Sequence, residues 1–367
     1  MGARQAGDEV CGGEFADHGA LKGGETGGRQ GGGEFADHGP PVPPLLSASA
    51  YHVRAYLALG LGVLCIAFSG IFISLANAPG AVAGFYRMGI ATAALALPFY
   101  RQVQSLNDLP RRAALLAVLG GIFFAGDVVL WNTGVLISGA TTPTLMGNTA
   151  PVWVGLGALI FFRERLGRTF WLGLLIAMGG VAVIIGIDAI NQVGLGTFLG
   201  LLAGMFYGAY FLVIQSSRRQ LDALTSFWLS AASATTILLL MSLGLRQPLT
   251  GYSSFTYLNL LGVGLVAQTT GQLAINYSLG HLPASLVSPT LLAQPVLTAV
   301  LAGPLLQEYL LAPQMLGGVA VIAGVYVVHR SRGAGVRERI GRRRVAPLLP
   351  KSHRLRPEAT QGDCTID

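Results

Sequence analysis

The sequence predicts an all-α polytopic membrane protein, with ten transmembrane helices in two inverted five-helix repeats. Three observations carry this. The 367 residues are 52% hydrophobic and only 11% charged, with mean hydropathy +0.58, whereas a soluble domain carries about 25% charge. Most of the charge sits in two tails, residues 1–54 and 329–367, leaving apolar runs broken by short polar joints between them. The apolar runs also show an internal duplication.

Residues 1–54 read as a disordered cytoplasmic tail. The octet "GGEFADHG" occurs at 12–19 and again at 32–39 in glycine-rich surroundings, too poor in apolar surface to fold. No apolar core suggests a signal peptide. His18 and His38 each follow an aspartate, but a low-complexity duplication explains them better than a metal site. Cys11 and Cys364 lie in the tails and Cys65 inside an apolar run; with no CxxC and no Cys/His cluster, neither a disulfide nor a metal is indicated.

A bilayer core of about 30 Å needs about 20 helical residues. Ten runs meet this length: 55–76, 80–100, 113–138, 141–161, 169–188, 195–214, 223–244, 256–279, 284–306 and 312–330. They must be helices, because lipid offers the backbone no hydrogen-bond partner. Several joints are only a few residues long, so consecutive helices are antiparallel neighbours.

Arginine in the joints sets orientation. One end receives Arg101, Arg111, Arg112, Arg163, Arg165, Arg168, Arg218 and Arg219, together with both tails and the "RERIGRRR" of 337–344; the other receives only Arg246. Both termini are therefore expected in the cytoplasm, with the plasma membrane as the location. The net charge of +7 concentrates in the C-terminal tail, where it serves as a topology anchor or touches anionic lipid. Nucleic-acid binding is a poor reading of it.

The duplication is visible in "APVWVGLGALIFFRERL" (150–166) and "QPVLTAVLAGPLLQEYL" (294–310). Pro151 precedes Glu164 by the same interval as Pro295 precedes Glu308, and Gly173 and Gly180 recur at the same offset as Gly317 and Gly324. Five helices per half is an odd number, so the second copy is turned over relative to the first. The expected units are a tail at 1–54, repeats at 55–188 and 195–330, and a basic cytoplasmic tail at 331–367.

An apolar helix with an internal proline, the glutamate at its end and a glycine-rich helix after it, present twice, resembles the drug/metabolite transporter superfamily, specifically its ten-helix EamA-type members. The resemblance covers about 55–330. The second copy reads "QEY" where the first reads "RER", a loss of flanking charge that fits an extracellular joint. The resemblance implies a central cavity lined mainly by helices 1, 3, 4, 6, 8 and 9, and a small organic metabolite or drug moved outward.

Polar residues inside those helices are the candidate substrate or proton sites. Aligning the halves through the Pro/Glu pair, with a one-residue slip, sets Asp127 against Gln272 and Trp131 against Asn276. Gln268, Gln272 and Asn276 are spaced i, i+4, i+8 and share an arc of about 80°; as a group they are expected to line the cavity. Asn132, Asn148 and Gln294 add polar groups, although such side chains also tie helices together. Helix 6 carries Gly196, Gly200, Gly204 and Gly208, read as close static packing or as a sliding face, with Tyr207 and Tyr210 beside it. Glu164 and Glu308, at helix ends, are read as structural.

Two charges remain. Arg87 lies about 10 Å inside helix 2 by helical rise, where it can snorkel outward, pair with an acid or attract an anionic solute. Asp127 is deepest, and a charge within a span usually faces the bundle interior or a wet cavity. It is either a proton or cation site, or half of an ion pair with Arg87.

The function these residues support is a secondary active transporter, proton-driven, with a small-molecule solute and membrane lipids as partners, no nucleic acid, and a homodimer as the option for assembly. No cofactor is called for: a GxxxxGK[ST] loop is missing, so ATP-driven transport is unsupported. An enzyme would need a nucleophile–base pair or metal cluster in the spans, and the apolar region has no histidine before His281 and no GxSxG. A channel or a lipid-flipping protein is the other alternative.

Overall fold

The computed structural model describes residues 45–103, 108–139, 141–186, 194–306 and 311–345, with side chains from His52 to Ser331 within those limits except at 304–306. Ten helices among them are long and apolar enough to cross a membrane: His52–Ala76, Gly80–Gln102, Arg111–Ser138, Thr141–Phe161, Arg168–Ile185, Leu195–Ser217, Ala223–Gly244, Ser254–Leu279, Ala284–Gly303 and Ala312–Ser331. These are spans 1 to 10, and each agrees with its predicted run to within a few residues. No strand occurs among the described residues. Large apolar side chains such as Leu136, Phe161 and Leu316 point outward, whereas Gln268, Gln272 and Asn276 are fully buried. A soluble protein sorts the other way; this surface suits lipid. The duplicated octets with His18 and His38, Cys11, Cys364 and Glu308 lie outside the described residues.

In lipid, apolar burial does not drive helix association; close packing of small residues does. Spans 5 and 10 show it. A Cβ on Gly173 would stand 2.9 Å from the Gly324 carbonyl oxygen, and one on Gly180 2.5 Å from that of Gly317. Gly173 therefore meets the repeat-mate of Gly180, and Gly180 the repeat-mate of Gly173, so this antiparallel crossing has the reciprocity of a local two-fold axis. Around it Phe170, Leu174, Ala177, Val181, Val321 and Val328 form one buried cluster. A second, larger cluster draws on spans 1 to 4 and 6 to 9, with Leu59, Met88, Phe124, Val154, Tyr210, Phe227, Ile275 and Val287 among its members.

Three glycines of span 6 pack closely on span 4, while Gly196 meets Ser138 and Gly134 of span 3. A Cβ on Gly200 would lie 2.6 Å from Pro143 Cα, one on Gly204 3.0 Å from the Gly147 carbonyl oxygen, and one on Gly208 3.1 Å from that of Ala150.

Three irregularities were not legible in the sequence. Span 4 is two helices, Thr141–Gly147 and Ala150–Phe161, and span 9 likewise divides into Ala284–Thr290 and Ala293–Leu306. Each break falls just before the proline of the repeat. Proline has no N–H for the carbonyl four residues back. In span 9 that carbonyl, Leu291, is taken instead by the Gln294 N–H at 2.9 Å; in span 4 the Thr149 N–H closes a tight turn onto Met146 at 3.0 Å. The third irregularity is a π-helix, Val263–Gln272, inside span 8. Thr269 and Thr270 donate to carbonyls five residues back, Gly264 at 2.8 Å and Leu265 at 3.1 Å, as the wider turn requires.

Two spans begin on side-chain caps. Asp222 accepts the Thr225 N–H at 3.0 Å to begin span 7, and Ser253 accepts the Thr256 N–H at 3.1 Å to begin span 8. Gly139, with φ of 78°, ends span 3 in a conformation that disfavours other residues.

Candidate functional site

Span geometry puts three of the sequence-predicted residues in one layer. Arg87 is seven residues from the start of span 2, Trp131 seven from the end of span 3 and Asn148 seven from the start of span 4, each about 10 Å from the end opposite the arginine-rich joints. Asp127 lies one turn deeper than Trp131. All four are partly exposed despite this depth, as are Asn132, Tyr207 and Gln294.

Arg87 does not snorkel. Its Nε donates to Gln268 Oε1 on span 8, and its guanidinium sits 5.7 Å from the centroid of the Phe124 ring on span 3. Phe124 in turn meets Tyr210 edge-on at 5.5 Å, and Tyr210 stacks with Tyr207 at 5.9 Å. The charges of Arg87 and Asp127 lie within electrostatic reach of one another and of Tyr207. No hydrogen bond or contact ion pair to the Asp127 carboxylate forms among the described residues. The structural ion pair, one of the two readings of Asp127, is thus not made in this conformation.

The amide stripe departs from its expected place. Gln268, Gln272 and Asn276 were expected to line the cavity, but each has 0% exposure. Gln272 Nε2 donates to the Tyr210 hydroxyl at 2.9 Å. Asn276 lies beside the same hydroxyl without hydrogen-bond geometry.

Two partners escaped the sequence reading. Trp131 Nε1 donates to Thr144 Oγ1 at 3.1 Å, tying span 3 to the first half of span 4. Asn148 sits at the break in span 4, its amide donating back to the Thr144 carbonyl at 2.8 Å. No spacing in the sequence signals the first, because it joins two different helices.

The arginine-rich end is tied together by hydrogen bonds between helices. Ser217 donates to the Ala113 carbonyl and Ser278 to that of Ala55, both at 2.9 Å and both buried, so each ties a second-half span to a first-half one. Glu164 accepts from Ser285 Oγ at 2.6 Å, joining the end of span 4 to the start of span 9, and the Ala284 N–H donates to Gln215 Oε1 at 3.1 Å. Arg218 Nε donates to the Asn276 carbonyl at 2.9 Å and its Nη1 to the Leu221 carbonyl. Burial pulls the Arg218 guanidinium below its ordinary value, against the opposing pull of Asp222 and Tyr277. A recess of about 520 Å³ opens nearby, bordered by Ala58, Leu224, Thr270, Leu273 and Tyr277; its apolar lining suits lipid, and it holds none of the predicted site residues.

Arg87, Asp127, Trp131, Asn132 and Asn148 therefore lie in the half away from the arginine-rich end, and the buried amides in the half toward it. Comparison with known proteins gives this arrangement a context. The model of the EamA-like transporter family matches twice, over residues 53–186 and 194–330. The chain belongs to this family. It is 25% identical over 269 residues to the uncharacterized transporter YdfC of Bacillus subtilis, covering 73% of this chain and 88% of the relative. It is 26% identical over 303 residues to a probable terminal-alkyne amino-acid exporter of Streptantibioticus cattleyicolor, covering 80% and 97%. A solved crystal structure superposes with a TM-score of 0.63 at 16% identity, over 76% of this chain and 97% of that one, a likeness of fold. As an EamA-like protein with ten apolar helices among the described residues, the chain is an integral membrane protein and a membrane transporter.

Proposed function

We propose that the protein is a secondary active exporter of small organic solutes across the plasma membrane, driven by protons entering in exchange, with both termini cytoplasmic. The observation that carries this is Asp127: an ionisable group deep in span 3, partly exposed, with no donor among the described residues fixing its charge. Such a group can load and release a proton as access alternates. Arg87, within electrostatic reach, supplies the opposite charge. A cation and an anion within electrostatic reach of one another match the carboxylate and ammonium of an amino acid, the class named for one relative. Alternation between the two sides rests on two halves related by a pseudo-two-fold axis in the membrane plane, which the equal Pro/Glu spacings and the reciprocal glycine contacts of spans 5 and 10 support.

The test is uptake of a panel of radiolabelled amino acids into everted membrane vesicles with an imposed proton gradient, acid inside. At least one should accumulate saturably above its outside concentration, and a protonophore should abolish the accumulation. Non-saturable flux indifferent to the gradient would indicate a channel instead.

A further inference from the structure

The arginine-rich half of span 8 carries polar atoms that this conformation leaves without protein partners. They are Gln268 Nε2, Gln272 Oε1, and both Nδ2 and Oδ1 of Asn276. All three side chains have 0% exposure. Leaving a buried polar group unsatisfied is costly, whereas an apolar residue of the same shape is not. Gln268 and Gln272 each keep one bond, to Arg87 and to Tyr210. Asn276 has no side-chain bond, although its backbone carbonyl holds Arg218. The same segment contains the π-helix Val263–Gln272, an uncommon backbone form often found at functional sites.

The geometry points to a second polar surface, formed by Gln268, Gln272 and Asn276, that becomes the wall of the transport path when the protein opens at its arginine-rich end. This rests on the alternating-access reading above. In that state the amides meet water and a solute that both donates and accepts hydrogen bonds, since amides offer both functions. Arg218 closes this face in the present conformation through its bonds to the Asn276 and Leu221 carbonyls. Ser217, Ser278 and Ser285 close its surroundings through the ties already described. Opening requires those bonds between helices to break, and the amides to gain partners. The layer of Arg87, Asp127, Trp131 and Asn148 serves one side of the membrane; the amide face serves the other.

The test compares neighbours at one depth. In full-length protein whose Cys11, Cys65 and Cys364 are replaced by alanine, single cysteines are placed by Gln272→Cys, Asn276→Cys and Ile275→Cys. Ile275 is also fully buried but belongs to the apolar cluster. Everted vesicles are treated with 2-sulfonatoethyl methanethiosulfonate, a charged thiol reagent. The cysteines at 272 and 276 should react at least about tenfold faster than that at 275; equal rates would overturn the proposal. A second measurement is the melting temperature of Asn276→Leu. It should be no lower than wild type, because no protein hydrogen bond to the side chain is lost, and a fall of several degrees would make the amide a structural tie. Neither readout needs a solute or a proton gradient, so both can fail while the proton-coupled reading stands, and the reverse.

Discussion

Asp127 and Arg87 were legible in the sequence because a charge inside an apolar run is costly, so its presence asks for a reason. Their partners were not. Arg87 finds Gln268 on another helix, and Gln272 finds Tyr210 two spans away within the same half of the chain. Pairs of this kind follow from packing and leave no local spacing to read. The expected cavity-lining role of the amide stripe failed in this conformation for the same reason, since a helical wheel gives direction but not what stands opposite. Arg87 lends itself to a direct measurement. Replacing it with glutamine removes a charge-assisted contact of about 1.5–3 kcal/mol to an anionic group. Arg87→Gln should therefore weaken half-saturation for an amino-acid solute by about 10- to 100-fold in vesicle uptake, with folded yield near wild type. Unchanged half-saturation would remove Arg87 from the solute site.

At the scale of elements, all ten spans could be read from hydropathy, but their breaks could not. Hydropathy reports which segments lie in lipid, whereas a break at Asn148–Thr149 or a π-turn at Val263–Gln272 is a matter of backbone hydrogen bonding. The prolines were visible, and each break lies just before one, yet Pro98 inside span 2 leaves that helix unbroken. The glycine offsets marked the duplication, but not that spans 5 and 10 pack on each other through those glycines. Gly180→Leu should destabilise the fold by about 1–3 kcal/mol through overpacking, seen as a lower melting temperature in detergent. Gly179→Leu, where a Cβ meets nothing within 4 Å, should leave it unchanged. If both substitutions act alike, the span 5–span 10 crossing is not what the glycines serve.

Span 7 gives a pH-dependent case. Burial alone would raise the Asp222 carboxyl, but hydrogen bonds from the Thr225 side chain and backbone, the Gln102 side chain and the Leu224 backbone hold it below its ordinary value. A depressed carboxyl stabilises the fold above its unfolded value, near 3.9, and that contribution is lost as pH falls through the lower folded value. Asp222→Asn, which keeps a capping oxygen, should melt close to wild type at pH 7. Asp222→Ala should cost about 0.5–2 kcal/mol there, and the gap should close in strong acid. A gap that persists below pH 2 would assign the effect to packing.

For the whole molecule, the arginine asymmetry predicts the sidedness of every joint. Cysteines placed at Gly167 and Gly251, both exposed and on opposite ends, should differ in reaction with an impermeant reagent on intact cells. The cysteine at 251 should label and that at 167 should not, and equal labelling would invert or dissolve the topology. Within that topology, the halves should superpose after a two-fold rotation that brings Pro151 onto Pro295. Exchange of solute for protons between two such halves is the central claim, and Asp127→Asn in proteoliposomes tests it most directly. The folded variant should lose gradient-driven accumulation of amino acid and the accompanying proton flux, while keeping one-for-one exchange of labelled for unlabelled amino acid. A folded Asp127→Asn protein that still concentrates amino acid against its gradient at the wild-type rate would contradict it.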